Sequence, residues 1–122
     1  MNALLMVAHG SRLASSNEEF ADLAARVREK LAGKYDALGT AFLELAEPGI
    51  ASGLQSLIDQ GATRIDVMPC FLLAGTHVRH DIPELVQQVQ QANPALTIKL
   101  HEHLAAEPGF VDYLAVQALA GR

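Results

Sequence analysis

The stretch ALLMVAHGSR, residues 3–12, decides which fold we expect for this chain. Its apolar run from Ala3 to Ala8 has the length and composition of a buried strand, and His9, Gly10 and Ser11 follow as a sharp turn. Residues 20–31 then place apolar side chains at helical spacing. A buried strand followed directly by an amphipathic helix predicts a βα unit of a parallel sheet.

The same strand-and-helix unit recurs three more times. Further strands are predicted at about 36–44, 64–70 and 96–101, with helices from Pro48 to Gly61, from Asp81 to Asn93 and from about Pro108 onward. Two capping boxes are predicted, one at Ser15 or Ser16 and one formed by Asp81 with Glu84. We therefore expect an α/β fold, a three-layer α/β/α sandwich with a four-stranded parallel sheet, and a single domain over residues 1–122.

The last predicted helix differs from the others because it is apolar on most of its circumference. Phe110, Val111, Leu114 and Leu119 do not fit on one stripe. A helix that packs on its own sheet uses only one face, so we expect part of this surface to meet another subunit.

Composition excludes several classes of function. The formal charge is −5, and there is no cluster of Lys or Arg and no Trp, which argues against nucleic acid or an anionic membrane as a partner. No apolar run approaches the ~18 residues of a membrane span, and no signal peptide is recognisable, so a cytoplasmic protein is expected. The single cysteine, Cys70, excludes an internal disulfide and a cysteine-only zinc site.

Histidines follow the predicted strands. In parallel α/β sheets, ligands bind outside the carboxyl ends of the strands, where the connecting loops meet. This pattern predicts a metal-handling site at that edge, although an ordinary strand-end or surface histidine is an alternative at each position. The residues in question are His9 after the first strand, Glu44 at the end of the second, His77 and His80 after the third, and His101 and His103 after the fourth.

These candidates are not equivalent. His80 lies beside Asp81 at a helix start and is best interpreted as a solvated surface residue, and Cys70 as a small buried hydrophobe. His101 and His103 alternate at a strand end, which would put both imidazoles on one face as candidate ligands. Arg12, close behind His9, is a cation suited to an acidic ligand.

Three segments carry a resemblance to a known family, namely Val7-Ala8-His9-Gly10-Ser11-Arg12, Ala41-Phe42-Leu43-Glu44 with Pro48, and Pro69-Cys70-Phe71-Leu72-Leu73-Ala74-Gly75-Thr76-His77-Val78 with Asp81-Ile82-Pro83. Taken together, they resemble the small sirohydrochlorin chelatases of CbiX type. The resemblance covers Met1 to about Pro94. The family usually has Pro-Leu-Gly after the last strand, whereas this chain has His101-Glu102-His103-Leu104.

The resemblance implies a class II chelatase built as a flavodoxin-like half-module that forms a homodimer around a tetrapyrrole. It implies that His9 and His77 are catalytic, metal-contacting histidines and that Glu44 is the carboxylate that assists them. The metal is a substrate, Co²⁺ or Fe²⁺ and in some cases Ni²⁺, and no organic cofactor is expected. Sirohydrochlorin is rich in carboxylates, for which Ser11, Arg12 and Arg79 are the candidate contacts.

The residue types suit this chemistry. Metal insertion requires pyrrole N–H protons to leave as a divalent ion enters, so the site needs a base and a transient ligand. Imidazole serves both purposes, because it binds these metals and ordinarily titrates near pH ~6.5. Two histidines and one carboxylate leave positions open for the tetrapyrrole nitrogens.

Functions of other classes remain as alternatives. A strand that ends in His-Gly also suits a histidine phosphatase, but that family has an arginine directly before the histidine, where this chain has Ala8. A hydrolase using Ser11, His77 and Asp81 lacks the expected nucleophile elbow. The non-enzymatic alternative is a metal or tetrapyrrole carrier with the same histidines and no turnover.

Overall fold

The computed structural model of the chain describes residues 1–121, and for residue 77 it describes the backbone alone. Four parallel strands form one sheet in the order β2-β1-β3-β4. This confirms the predicted four-stranded parallel sheet and places the opening strand at its centre. The strands are β1 (Asn2–Ala8), β2 (Ala37–Phe42), β3 (Arg64–Pro69) and β4 (Thr97–Leu100).

Helices cover both faces of the sheet, as the three-layer prediction requires. The helices are α1 (Ala14–Lys30), α2 (Ile50–Asp59), α3 (Ile82–Ala92) and α4 (Pro108–Ala120). The helix α1 packs over one face, and α2 and α3 pack over the other. A π-helical turn, His77–Asp81, runs directly into α3, and a 3₁₀ turn, Leu104–Ala106, precedes α4.

The side chains of β1 alternate between two cores. Leu5 and Val7 belong to the larger core with α2 and α3, whereas Leu4 and Met6 belong to a smaller core beneath Ala24 of α1. All four strand side chains are almost completely buried. A central parallel strand with helices on both faces needs apolar residues at every position, which explains why the opening stretch is a continuous apolar run.

Neither predicted capping box forms. Ser15 and Ser16 lie inside α1, whose N-cap is Leu13, and no side chain caps that helix. Asp81 has helical backbone angles and makes no side-chain cap hydrogen bond, because the π-helical turn already continues into α3. In both places the helical segment begins before the polar residue that was predicted to cap it.

The last helix, α4, buries none of its residues. Val111, Leu114, Val116 and Leu119 are each more than half exposed, and the helix contacts mainly the 3₁₀ turn Leu104–Ala106. The predicted contact of α4 with another subunit stays a prediction, but the apolar surface that motivated it is present. In the part of the chain that the structure describes, no helix is long and apolar enough to span a membrane.

Candidate metal centre

The turn after β1 is held close to the loop after β2 by backbone contacts. Leu43 N–H donates to Ala8 O over 2.9 Å, and Glu44 N–H donates to His9 O over 3.0 Å. Gly10 has a φ of +96°, and a Cβ atom at this position would lie 1.9 Å from the Glu44 carbonyl oxygen. Only glycine therefore allows the two loops to approach so closely.

Ser11 holds the same turn from its other side. Its N–H donates to Asn17 Oδ1 over 3.0 Å, Asn17 Nδ2 donates back to Ser11 O over 2.8 Å, and Ser11 Oγ accepts from Leu13 N–H over 3.0 Å. The Ser11 hydroxyl thus serves the turn, and Arg12 lies on that turn with an exposed side chain. The sequence reasoning did not single out Asn17. Its position just after the two serines at the helix start could have indicated it, because Asn side chains often hydrogen-bond to the backbone of turns.

His9 and Glu44 form a close pair at this edge. His9 Nε2 lies 3.2 Å from Glu44 Oε1, and the two side chains are 48% and 50% exposed. His9 Nδ1 lies 3.2 Å from Gly10 O, a carbonyl that can only accept. In the tautomer with its proton on Nδ1, Nε2 turns its lone pair toward the carboxylate, and a proton or a metal cation would bridge the two acceptors. In the other tautomer, Nε2–H donates directly to Glu44 Oε1.

The loop that carries Glu44 is tightly folded. Leu45 has a φ of +67°, the left-handed region that non-glycine residues seldom adopt. Phe42 N–H donates to Pro48 O over 2.8 Å and closes the loop. The predicted strand at 36–44 therefore ends at Phe42, and Glu44 stands in the loop, where its carboxylate can reach His9.

His77 is the third residue of the predicted site. Its backbone begins the π-helical turn in the connection from β3 to α3, but its side chain lies outside the described part of the structure. The predicted proximity of the His9 and His77 side chains therefore stays a prediction. Among the described side chains, no three His, Cys, Asp or Glu residues are grouped closely enough to hold a metal.

The strand β4 ends at Leu100, before either of the two histidines that follow it. His101 and His103 line one cavity, and their role as ligands stays a prediction. His101 Nε2 lies 4.0 Å from Asp66 Oδ2, is buried, and has no hydrogen-bond partner among the described residues. His103 instead caps the 3₁₀ turn with an extended backbone.

Comparison with known proteins identifies the family of this chain. Residues 3–119 match the family described as CbiX. The chain belongs to the CbiX family. A sirohydrochlorin ferrochelatase from Priestia megaterium is 39% identical over 93% of this chain and 42% of its own length. A sirohydrochlorin cobaltochelatase from Sulfolobus acidocaldarius is 29% identical over 97% of this chain and 90% of its own length.

A solved structure extends the CbiX relationship to the fold. The sirohydrochlorin chelatase SirB from Bacillus subtilis subspecies spizizenii, in complex with cobalt, superposes with a TM-score of 0.78 at 33% identity. The match covers 84% of this chain and 43% of SirB. This CbiX chain therefore spans about two fifths of the length of SirB and of the Priestia enzyme, and most of the length of the Sulfolobus one.

The CbiX chain also contains a buried carboxylate that the sequence reasoning missed. Asp66 is only 6% exposed, and it accepts hydrogen bonds from Tyr35 OH over 2.5 Å and Arg64 Nε over 3.2 Å. The hydrogen bond to Asp66, followed by burial, raises the pKa of Tyr35. The available signal was a charge within the otherwise apolar β3 segment Ile65–Pro69, because such a charge needs a partner.

Cys70 lies directly after β3 at the same sheet edge. Burial raises the pKa of its thiol to about 11, so the sulfur keeps its proton at neutral pH. This agrees with its interpretation as a small buried hydrophobe, since metal ligation needs the thiolate.

Proposed function

We propose that this chain inserts a divalent metal, Co²⁺ or Fe²⁺, into a sirohydrochlorin-type tetrapyrrole in the cytoplasm. The observation that carries the proposal is the close approach of two potential ligand atoms, His9 Nε2 and Glu44 Oε1, 3.2 Å apart at the carboxyl edge of the sheet. The names of the CbiX relatives supply the substrate class. Ni²⁺ fits the same ligands, because affinity order alone does not select the metal.

The pair suits an exchange of protons for metal. A divalent ion that enters between Nε2 and Oε1 displaces the proton shared there, and it keeps open positions toward the tetrapyrrole nitrogens. When the metal moves into the macrocycle, two pyrrole protons leave, and the vacated imidazole and carboxylate can each accept one. Both groups are half exposed, so the protons can pass on to water.

The remaining predicted site residues take supporting roles in this proposal. His77 supplies a further metal ligand from the start of the π-helical turn. Arg12 and Arg79, both exposed, meet substrate carboxylates, and Ser11 maintains the turn that carries Arg12.

We propose that the working unit is a homodimer of a single-domain chain. One four-stranded sheet offers one wall to a large flat macrocycle, and ligand sites of that size normally bury most of the ligand. The exposed apolar side chains of α4 give each copy a surface to bury. SirB is more than twice as long as the matched segment, which is the length that a second half-module would need. Closed two-fold pairing is the commonest arrangement of identical chains.

Anaerobic incubation with sirohydrochlorin and Co²⁺, Fe²⁺ or Ni²⁺ tests the function. We expect the macrocycle absorbance to change to that of the metallated product, over many equivalents per chain and at a rate proportional to enzyme concentration. Conversion that stops at one equivalent per site would identify a carrier. No acceleration over metal and tetrapyrrole alone would contradict the chelatase proposal.

A further inference from the structure

A cavity of about 240 Å³ lies between the start of α3 and the segment after β4. Its wall includes the buried side chains of Pro69 and Ile82 and the partly buried Leu100. Polar residues line it as well, namely Arg79, His101, Glu102 and His103. An apolar wall with a cation at the mouth suits a short alkyl chain that ends in a carboxylate.

Backbone hydrogen bonds join the two segments that flank this cavity. Leu104 N–H donates to Phe71 O over 2.9 Å, and Ala105 N–H donates to Leu72 O over 3.0 Å. These bonds join the loop after β3 to the 3₁₀ turn after β4. A site held in this way loses less conformational freedom when a ligand binds.

Arg79 is the group best placed to bind a carboxylate here. Its Nε–H donates to Ala74 O over 3.3 Å, and both residues line the cavity. Within the described part of the chain, Arg79 makes no other side-chain hydrogen bond or ion pair. Its terminal amino groups therefore remain available for the bidentate contact that guanidinium makes with carboxylates.

The position and the volume of the cavity indicate which part of the ligand it can bind. The ends of β1 and β4 are separated by β3, which places them roughly 10 Å apart at about 4.8 Å per strand. A macrocycle centred near His9 can therefore extend a peripheral side arm to this cavity. The cavity is smaller than the ~300–1,000 Å³ of pockets that enclose whole small molecules, so it fits an arm and not the ring.

We infer that this cavity binds one acetate or propionate arm of the tetrapyrrole through Arg79, with His103 as a second donor. The inference rests on the proposed function and adds a subsite that fixes the orientation of the macrocycle. Glu102 at the same cavity opposes an anionic arm, so its charge limits the affinity and favours release of the product.

The test is a fluorescence titration of metal-free sirohydrochlorin, which separates binding from insertion. We expect Arg79→Gln to raise Kd about tenfold and Glu102→Gln to lower it severalfold. Arg28→Gln, which removes an arginine from the C-terminal part of α1, is the matched control and should leave Kd unchanged. With the neutral methyl ester of sirohydrochlorin, the Arg79→Gln and unsubstituted proteins should bind equally.

Two results would overturn the subsite. One is equal Kd values for Arg79→Gln and Arg28→Gln, and the other is an Arg79→Gln penalty that persists with the ester. An unchanged Kd in Glu102→Gln would contradict the opposing charge, and this variant replaces an exposed side chain without a change of size. If the unsubstituted protein metallates sirohydrochlorin normally, these results reject the subsite alone. Failure of the unsubstituted protein to bind sirohydrochlorin would reject the proposed function as well.

Discussion

Two regions of the molecule differ in how completely one chain builds them. The β1–β2 edge, formed by His9, Gly10, Glu44 and Leu45, is fixed by backbone hydrogen bonds and by a glycine pressed against a carbonyl. The helix α4 buries no residue and exposes apolar side chains around its circumference. The first region is preorganised within one chain, whereas the apolar surface of α4 remains exposed in one chain.

The contrast separates two physical requirements of the proposed chelatase. Metal capture needs two ligand atoms at a fixed spacing, and a few tight local contacts provide that spacing. Enclosure of a tetrapyrrole needs extensive apolar surface, which a 13.1 kDa chain with one small sheet lacks on its own. Substitutions in the first region should therefore affect chemistry and folding, and substitutions in α4 should affect assembly.

The largest effect is expected at His9. His9→Ala removes the Nε2 ligand and proton acceptor, and we expect the insertion rate to fall about a thousandfold, or ~4 kcal/mol of transition-state stabilisation. Because the side chain is half exposed, the free energy of unfolding should change little. Stopped-flow absorbance with sirohydrochlorin and Co²⁺ measures the rate.

His80→Ala is the matched control, since His80 is an exposed histidine on the π-helical turn. It should keep the rate of the unsubstituted protein. Equal losses in the two variants would show that the assay responds to any lost histidine, and a normal rate in His9→Ala would reject the catalytic pair.

The second-largest expected effect is on the free energy of unfolding. It is tested by a comparison of two glycines that both have a positive φ. A Cβ atom at Gly10 would overlap the Glu44 carbonyl, whereas one at Gly61, with a φ of +105°, would meet no atom within 4 Å. We expect Gly10→Ala to lower the free energy of unfolding by about 3 kcal/mol and Gly61→Ala by about 1 kcal/mol. Urea denaturation followed by circular dichroism measures both. Equal losses would mean that the contact with Glu44 adds nothing to the cost of the backbone conformation.

Sequence alone predicted the parts of this fold that depend on long apolar periodicity. The strand Ala3–Ala8, the helix α1 with its buried Ala24 and the apolar surface of α4 were all predicted, because apolar periodicity leaves a clear pattern along the chain. The strand ends and helix starts were less accurate, since they depend on single hydrogen bonds. Asn17 sets the turn before α1 from a distance of six residues, and no periodic pattern records such a contact.

For the candidate site, the sequence predicted the location but not all of the contacts between side chains. Its location followed from chain order, because parallel strands bring their carboxyl ends to one edge. The pairing of His9 with Glu44 required a close approach of two loops, which only the coordinates show. The network of Asp66 with Tyr35 and Arg64 was missed because Tyr35 lies 31 residues away from Asp66 in the chain.

The third effect tests whether α4 forms the interface of the proposed dimer. Leu114 is 52% exposed, so Leu114→Glu should leave the chain folded but place a charge in an apolar interface. We expect dimer affinity to fall by about 2 kcal/mol, roughly thirtyfold, as measured by sedimentation at micromolar concentration. Gln88→Glu adds the same charge to an exposed position on α3 and should leave the mass unchanged. A mass of one chain for the unsubstituted protein, with and without tetrapyrrole, would contradict the dimer.

The smallest effect concerns Leu45, which holds a left-handed conformation directly after Glu44. Asparagine adopts this conformation more readily than leucine, so Leu45→Asn should raise the free energy of unfolding by about 1 kcal/mol. Little burial is lost, because Leu45 is 49% exposed. Leu72→Asn, at a leucine that is 54% exposed and has no positive φ, should give no such gain. Because Leu45→Asn preserves the loop, the insertion rate should not fall. A gain in stability accompanied by a loss of rate would show instead that strain at Leu45 helps to hold Glu44 against His9.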